Sequence, residues 1–502
     1  MTTEDLSTTT EAGKSPTAGP TPAPPDPRRW TVLAVLSGLQ FMILLDMTVV
    51  NVALPRIQDS LGFSAAGLAW VVNAYVLAAG GLLILGGRMA DVFGRRKLLL
   101  TGVVVFAVSS VVSGAAVEPW MMVAGRFGQG LAEALAAPAS LGLIALLFTD
   151  PKERTKAVGI WGGIIGLGGT LGYVISGVLT DLAHWRWIFF INLPVALVVL
   201  FLIPRMVRES RMVRKDGQSI DVLGGLTLTL GLVGVVFGLL HAAEHPWGSA
   251  TVLGPLLGGV ALLGLMVLVE SRTRDPLIPL RFFANRTRTA VNIATVLFMA
   301  AFISYTFMLT LFEQQVLGYS PLMNGLAWLP LSVAMGAGIG LGTTLVPKLG
   351  IRNMAAFSYI GAGVGLFLTS LVSADSSYVI GILPGMLVFG LFAGASIPAT
   401  TTAALHKVTG QDSSLASGLL TTSQQIGGAL GIAVLVTLAL RQAGSAVERG
   451  VSEAAAATEG YTLAFRVGSI LLVLGGILLM ALVERVDTEV RDPVAEQIAA
   501  AR

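Results

Sequence analysis

Fourteen stretches of about twenty mostly apolar residues divide this chain of 502 residues. Each is long enough to cross the hydrocarbon core of a bilayer as a helix. They fall near 30–54, 66–87, 97–117, 120–147, 157–180, 187–206, 221–241, 251–270, 289–316, 324–346, 353–373, 378–402, 414–440 and 461–484. Hydrophobic residues make up 54% of the chain and charged residues 12%. That charged share is about half of what soluble domains carry. The pattern predicts an all-α polytopic membrane protein. The absence of cysteine excludes disulfides, thiolate metal sites and a cysteine nucleophile.

The basic residues orient the spans. With the N-terminus inside and strict alternation, nearly all of the 32 Lys and Arg residues fall on the inner side. Only Arg56, Arg186, Arg441 and Arg449 fall outside, while Arg126 and Arg466 lie within spans. This is the positive-inside pattern, and an odd number of spans would scramble it. Both ends are therefore expected on the cytoplasmic side of the cell membrane. The net charge of +3 follows that asymmetry and gives no reason to expect nucleic acid as a partner. Residues 1–28 are rich in Thr, Pro, Ala and Ser, read as a disordered tail without the basic start and short apolar core of a cleaved signal. The segment from Arg441 to Gly460 is expected to be a loop, with room for a short helix.

A weak internal repeat is visible. "GRMADVFGRRKLL" follows the second span and "TTLVPKLGIRNM" ends and follows the tenth; aligning Gly94 with Gly350 places Arg96 on Arg352. The predicted organisation is a tail at 1–28, a six-helix half at 29–215, two inserted helices at 216–271, a second six-helix half at 272–488, and a tail at 489–502. Repeated halves of this kind are typical of secondary transporters, whose sites lie near the midplane between them.

Six motifs in order carry a resemblance. They are "LDMTVVNVALP", "GRMADVFGRRK", "RFGQG" at Arg126 to Gly130, "WRWIFFINLP", "QQVLGYSP" and "TTSQQIGGALG". With them the chain resembles the fourteen-span drug:proton antiporter branch of the major facilitator superfamily from Trp30 onward. The resemblance implies the superfamily fold and efflux of lipophilic, often cationic drugs or antibiotics in exchange for protons. It also implies a monomer that is not an enzyme and needs no cofactor beyond the coupling proton. Its partners would be drug-like molecules, protons and membrane lipids. One motif departs. The span-5 antiporter mark Gly-Pro-x-x-Gly-Gly stands here as Gly172, Tyr173, Val174, Ile175, Ser176, Gly177.

Ionisable residues inside spans are functional candidates by default, because burying them is costly. Asp46 in span 1 is the first, expected to face a cavity or a partner and to load and release a proton, the alternative being a structural hydrogen bond to a neighbouring span. Glu133 lies two helical turns beyond Arg126 on the same face of span 4, with Gln129 between them. It is read as a proton carrier or cation anchor, the alternative being an internal partner of Arg126. Glu313 near the outer end of span 9 is either a gate-side acid for cationic substrates or a solvated rim residue. Gln40, Asn51, Asn73, Tyr75, Gln424 and Gln425 read as helix-to-helix hydrogen-bonding groups. Asp46, Glu133, Glu313 and Gln129 are the candidates for touching substrate. The resemblance further implies a gate formed by Gly87, Asp91, Gly94, Arg95 and Arg96. In it Gly87 permits close backbone approach, and Asp91 rests against the positive N-terminus of span 13.

Other chemistry is unsupported. "HAAEH" at His241 to His245 matches an inverted zinc-protease pattern but has no evident third ligand. No phosphate-binding loop pattern appears. Two further readings remain open: a dedicated exporter of one natural product or a lipid carrier on the same fold, and a transport-dead sensor.

Overall fold

The computed structural model describes residues 27–148, 150–210, 221–273, 276–408 and 413–484. These form fourteen rods: α1 Arg29–Leu61, α2 Ala65–Phe93, α3 Arg95–Gly114, α4 Pro119–Leu147, α5 Pro151–Leu182, α6 Trp187–Met206, α7 Val222–His241, α8 Ala250–Arg272, α9 Arg286–Val316, α10 Pro321–Leu349, α11 Ile351–Thr369, α12 Tyr378–Ala404, α13 Ser413–Glu448 and α14 Glu453–Leu482. Among the described residues, thirteen of the fourteen contain a window long and apolar enough to cross a membrane, and α5 contributes the shorter apolar stretch Leu171–Leu182. The outward faces stay apolar: Leu257, Val260 and Val267 on α8 and Ile470, Leu474 and Ile477 on α14 are exposed. In lipid this is the stable arrangement, because the helices satisfy their own backbone groups.

Two corrections concern ends. α13 and α14 leave only residues 449–452 between them, where a long loop was expected. The Ala-rich composition explains it, since alanine has the highest helix propensity. The second correction is Gly87, where an added Cβ would make only ordinary contact, 3.6 Å from Pro138. The close approach is one residue earlier. A Cβ on Gly86 would sit 2.0 Å from the Ala134 carbonyl oxygen, and one on Gly130 would sit 2.1 Å from that of Tyr75. This seam of small residues lets α2 and α4 pack backbone to backbone. Gly130→Ala should therefore destabilise the fold by about 1–3 kcal/mol, as overpacked cores do, measured as a lowered melting temperature in detergent.

The packing reveals the repeat that the sequence only hints at. In the first half α1 packs on α5 and α6, α2 on α4, and α3 on α4 and α6. In the second half α9 packs on α13 and α14, α10 on α12, and α11 on α12 and α14. The same pairs recur with an offset of eight helices. The halves meet along two seams, α2 with α13 and α5 with α10, which exchange under that offset. α7 and α8 pack on each other, and α7 lies against both α2 and α13. The Thr437 hydroxyl donates to the Leu239 carbonyl at 2.7 Å, and Arg441 Nε to the Ala242 carbonyl at 2.6 Å.

Gly94 and Gly350 occupy matching places as the residues that open α3 and α11. Both take positive φ, 107° and 79°. Such a backbone favours glycine. Each half also fastens its last helix to an earlier element. After α6, Glu209 accepts from the backbone N–H groups of Arg96 and Lys97 at 3.1 Å, capping α3. After α14, Glu484 pairs with Lys407 and lies 3.5 Å from His406 and 3.9 Å from Arg286. The hydrogen bond from Lys407 holds the Glu484 carboxyl below the usual range.

The two seams differ along their length. At the end away from the chain termini, α5 and α10 touch closely: a Cβ on Gly177 would lie 2.7 Å from the Pro321 carbonyl oxygen, and one on Gly325 2.4 Å from that of Tyr173. Toward the end that holds the termini they part. A Cβ on Gly159, Gly163, Gly336 or Gly340 would meet nothing within 4 Å. The α5–α10 seam is thus closed at the far end and spread at the terminal end, while α2 and α13 stay in reach there, a Cβ on Gly418 lying 3.8 Å from Ile84.

Candidate transport site

Asp46 is fully buried, and its carboxylate collects donors from two other helices. Oδ2 accepts from Arg126 Nη1 at 2.5 Å; Oδ1 accepts from Gln129 Nε2 at 2.8 Å and from Asn192 Nδ2 at 2.7 Å. Arg126 and Gln129 stand one turn apart on α4, which puts both on one face. Asn192 comes from α6. Gln129 and Asn192 both also donate to the Ser110 hydroxyl of α3, at 2.9 and 3.4 Å.

Arg126 is as enclosed as its partner, 2% exposed. Nη1 also donates to Gln129 Oε1 at 2.8 Å and Nε to the Val71 carbonyl at 2.9 Å. The Tyr75 ring lies 4.4 Å from its guanidinium carbon. This is a buried ion pair with most of its hydrogen-bonding capacity filled, the arrangement that makes such burial tolerable. It also joins α1, α2, α3, α4 and α6 through one polar knot.

Glu133 is buried but stands apart from that knot. It is an electrostatic neighbour of Tyr75, Asp46 and Arg126, and its Oε2 has no hydrogen-bond partner among the described residues. Asp46, rather than Glu133, is the carboxylate in direct ion-pair contact with Arg126. Gln129 spends both ends of its amide on protein groups, so in this conformation it positions Asp46. Glu313 is fully buried, which removes the solvated-rim reading; Asn324 Nδ2 donates to its Oε2. The altered span-5 mark now has physical content. Tyr173 stacks on Trp328 with centroids 5.0 Å apart, and the Ser176 hydroxyl donates to the Val49 carbonyl.

The gate residues form a separate cluster at the terminal end. Asp91 accepts from Arg95 Nη2 at 2.8 Å, and Arg95 Nη1 reaches the Gly142 carbonyl at 3.4 Å. Arg96 donates from Nη1 to the Val207 carbonyl at 3.0 Å. The expected rest for Asp91, the start of span 13, adjoins residues 409–412, which lie outside the described ones.

Residues 36–432 match the sequence model of the Major Facilitator Superfamily. The chain belongs to that superfamily. Among its major facilitator relatives, the puromycin resistance protein of Streptomyces alboniger is 37% identical, over 92% of this chain and 94% of that one. The lincomycin resistance protein of Streptomyces lincolnensis is 38% identical over 82% of this chain and 84% of that one. A cephamycin export protein of Amycolatopsis lactamdurans is 36% identical over 81% and 84%. The solved structure of a bacterial homologue of the human lysosomal transporter Spinster, inward-facing and unoccupied, superposes with a TM-score of 0.66 at 16% identity. It covers 91% of this chain and 97% of that one. The major facilitator fold predicted from sequence is therefore the fold observed.

Asn192 and Ser110 are the members of this hydrogen-bonded cluster that sequence reasoning missed. Asn192 lies inside "WRWIFFINLP", read only for its resemblance. The available signal was an amide in the apolar run of a span, the same signal that singled out Asn51 and Asn73.

Proposed function

We propose that this transporter exports lipophilic antibiotics, often cationic ones, across the cytoplasmic membrane, and that inward proton movement drives it. The observation that carries the reading is the buried Asp46–Arg126 pair at the centre of a half that must move against its twin. A proton on Asp46 removes the charge that holds Arg126. It thereby changes which arrangement of α1, α4 and α6 is stable, and a ligand or proton shifts an equilibrium only through such a difference between states. Glu133, beside the pair and next to Tyr75, with its Oε2 lacking a hydrogen-bond partner among the described residues, is the second group able to accept a proton or a cationic cargo. The Lys and Arg distribution supports a cytoplasmic position for the spread, terminal end. The conformation is thus the one that collects cargo from inside, and the Asp91–Arg95–Arg96 cluster is the gate that closes behind it.

The decisive experiment uses purified protein in everted vesicles loaded with a pH-sensitive dye. Puromycin, lincomycin and a panel of unrelated lipophilic cations are added under an imposed proton gradient. Drug-dependent proton release, abolished by a protonophore, is expected; its absence across the panel would reject coupling. Glu133→Gln is expected to reduce the release for cationic drugs more than for neutral ones.

A narrower reading has one observation in its favour. The relatives conferring resistance to puromycin and lincomycin, and the cephamycin exporter, are each named for a single antibiotic. Protection of a hypersensitive host against one compound alone would make this chain a dedicated exporter as well.

A further inference from the structure

Glu313 has no evident place in the cycle above, yet its surroundings are unusual. It lies in the π-helical turn Phe312–Val316 that ends α9, where the extra residue per turn re-aims side chains. One carboxylate oxygen accepts from Asn324 of α10; the other, Oε1, is buried with no hydrogen-bond partner among the described residues. No Lys, Arg or His pairs with it among the described residues. Leaving such a group unanswered inside a protein is costly.

Aromatic rings surround this carboxylate. Tyr173 of α5 stacks on Trp328 of α10, and Tyr305 of α9 meets Trp328 edge-on at 6.1 Å. Tyr173, Tyr305, Tyr319 and Tyr378 are its electrostatic neighbours. The indole N–H of Trp328 is also buried without a hydrogen-bond partner among the described residues. The cluster straddles the seam between the halves. Its depth follows from Gln314, whose Nε2 donates to the Val52 carbonyl at 2.7 Å. Val52 lies six residues beyond Asp46, about 9 Å further along α1.

We infer that Glu313, Asn324, Tyr173, Tyr305 and Trp328 form a second, outer binding site for the positively charged group of an organic cargo. This deepens the export reading and rests on it. A carboxylate lacking a counter-ion together with aromatic faces is the chemistry that recognises organic ammonium and phosphonium groups. One carboxylate and one amide are too few oxygens for a resident metal ion. The site opens when α5 withdraws from α10 and the Tyr173–Trp328 stack separates. Cargo leaving Asp46 and Glu133 then meets a second carboxylate on the far side of the midplane.

The test is equilibrium binding to the full chain in lipid nanodiscs, without any gradient. The probes are tetraphenylphosphonium, which cannot exchange a proton, and neutral triphenylphosphine oxide. Glu313→Gln should weaken tetraphenylphosphonium binding by about tenfold and Trp328→Phe by about threefold, within the range of desolvated cation–aromatic contacts. Neutral-probe binding should be unchanged in both, and the Glu313→Gln effect should persist in an Asp46→Asn background. Equal weakening of both probes, wild-type binding by Glu313→Gln, or no binding of the cation by the wild type would each overturn the site. Should Glu313→Gln fail to fold, a normally melting Trp328→Phe with unaltered cation binding would also overturn it. A chain that binds the cation as expected but moves no drug would reject export and leave the site standing.

Discussion

Asparagine in place of Asp46 should give a folded transporter that no longer concentrates its substrate. The amide is nearly the same size, and its oxygen still accepts from Arg126. It cannot carry a proton, so the state-dependent hold on Arg126 disappears. For a neutral drug exchanged for one proton, one net charge moves through the membrane, and 100 mV supplies about 2.3 kcal/mol, a factor of about fifty in concentration ratio at 1.4 kcal/mol per tenfold. The steady-state drug gradient across vesicles should fall from that order to unity, while facilitated equilibration continues. A mutant that still builds the gradient would remove Asp46 from the coupling mechanism.

Alanine in place of Arg126 should be the most damaging single change to stability. It strands a carboxylate that is 0% exposed. Removing one partner of a buried pair costs about 3–5 kcal/mol, whereas replacing both costs far less. Arg126→Ala is thus expected to unfold at a much lower temperature than the wild type, and a double variant that replaces both members by apolar residues of similar volume, Asp46→Leu with Arg126→Met, should recover most of the loss without recovering transport. Additive losses in that cycle would mean the pair contributes little to the fold. Fluorescence-monitored melting in detergent distinguishes these outcomes.

Much of the architecture was legible because a bilayer leaves few options. Span length, the Lys and Arg asymmetry and in-span charges each have a single dominant physical cause, and all fourteen spans are seen. Within the site, the spacing of Arg126, Gln129 and Glu133 correctly placed them on one face of α4. Helical periodicity could not say which of the three meets Asp46, since that depends on how α1 is rotated against α4. Asn192 was illegible for a related reason: its role comes from the placement of α6 beside α1, a contact across 146 positions. Glu313 was misread as a possible rim residue because distance along a helix does not give depth when two halves close over its end. The mistaken close approach at Gly87 is a one-residue error of the same origin, as adjacent glycines point about 100° apart around a helix.

The inserted pair makes the two seams mechanically unequal. α7 is laid over α2 and α13 and tied to the latter by Thr437 and Arg441. Among the described residues the α5–α10 seam has no such splint. A molecule built this way should swing like a book with a reinforced spine, its covers parting along the free edge, so that a lipophilic cargo would be expected to enter from the surrounding lipid on that side.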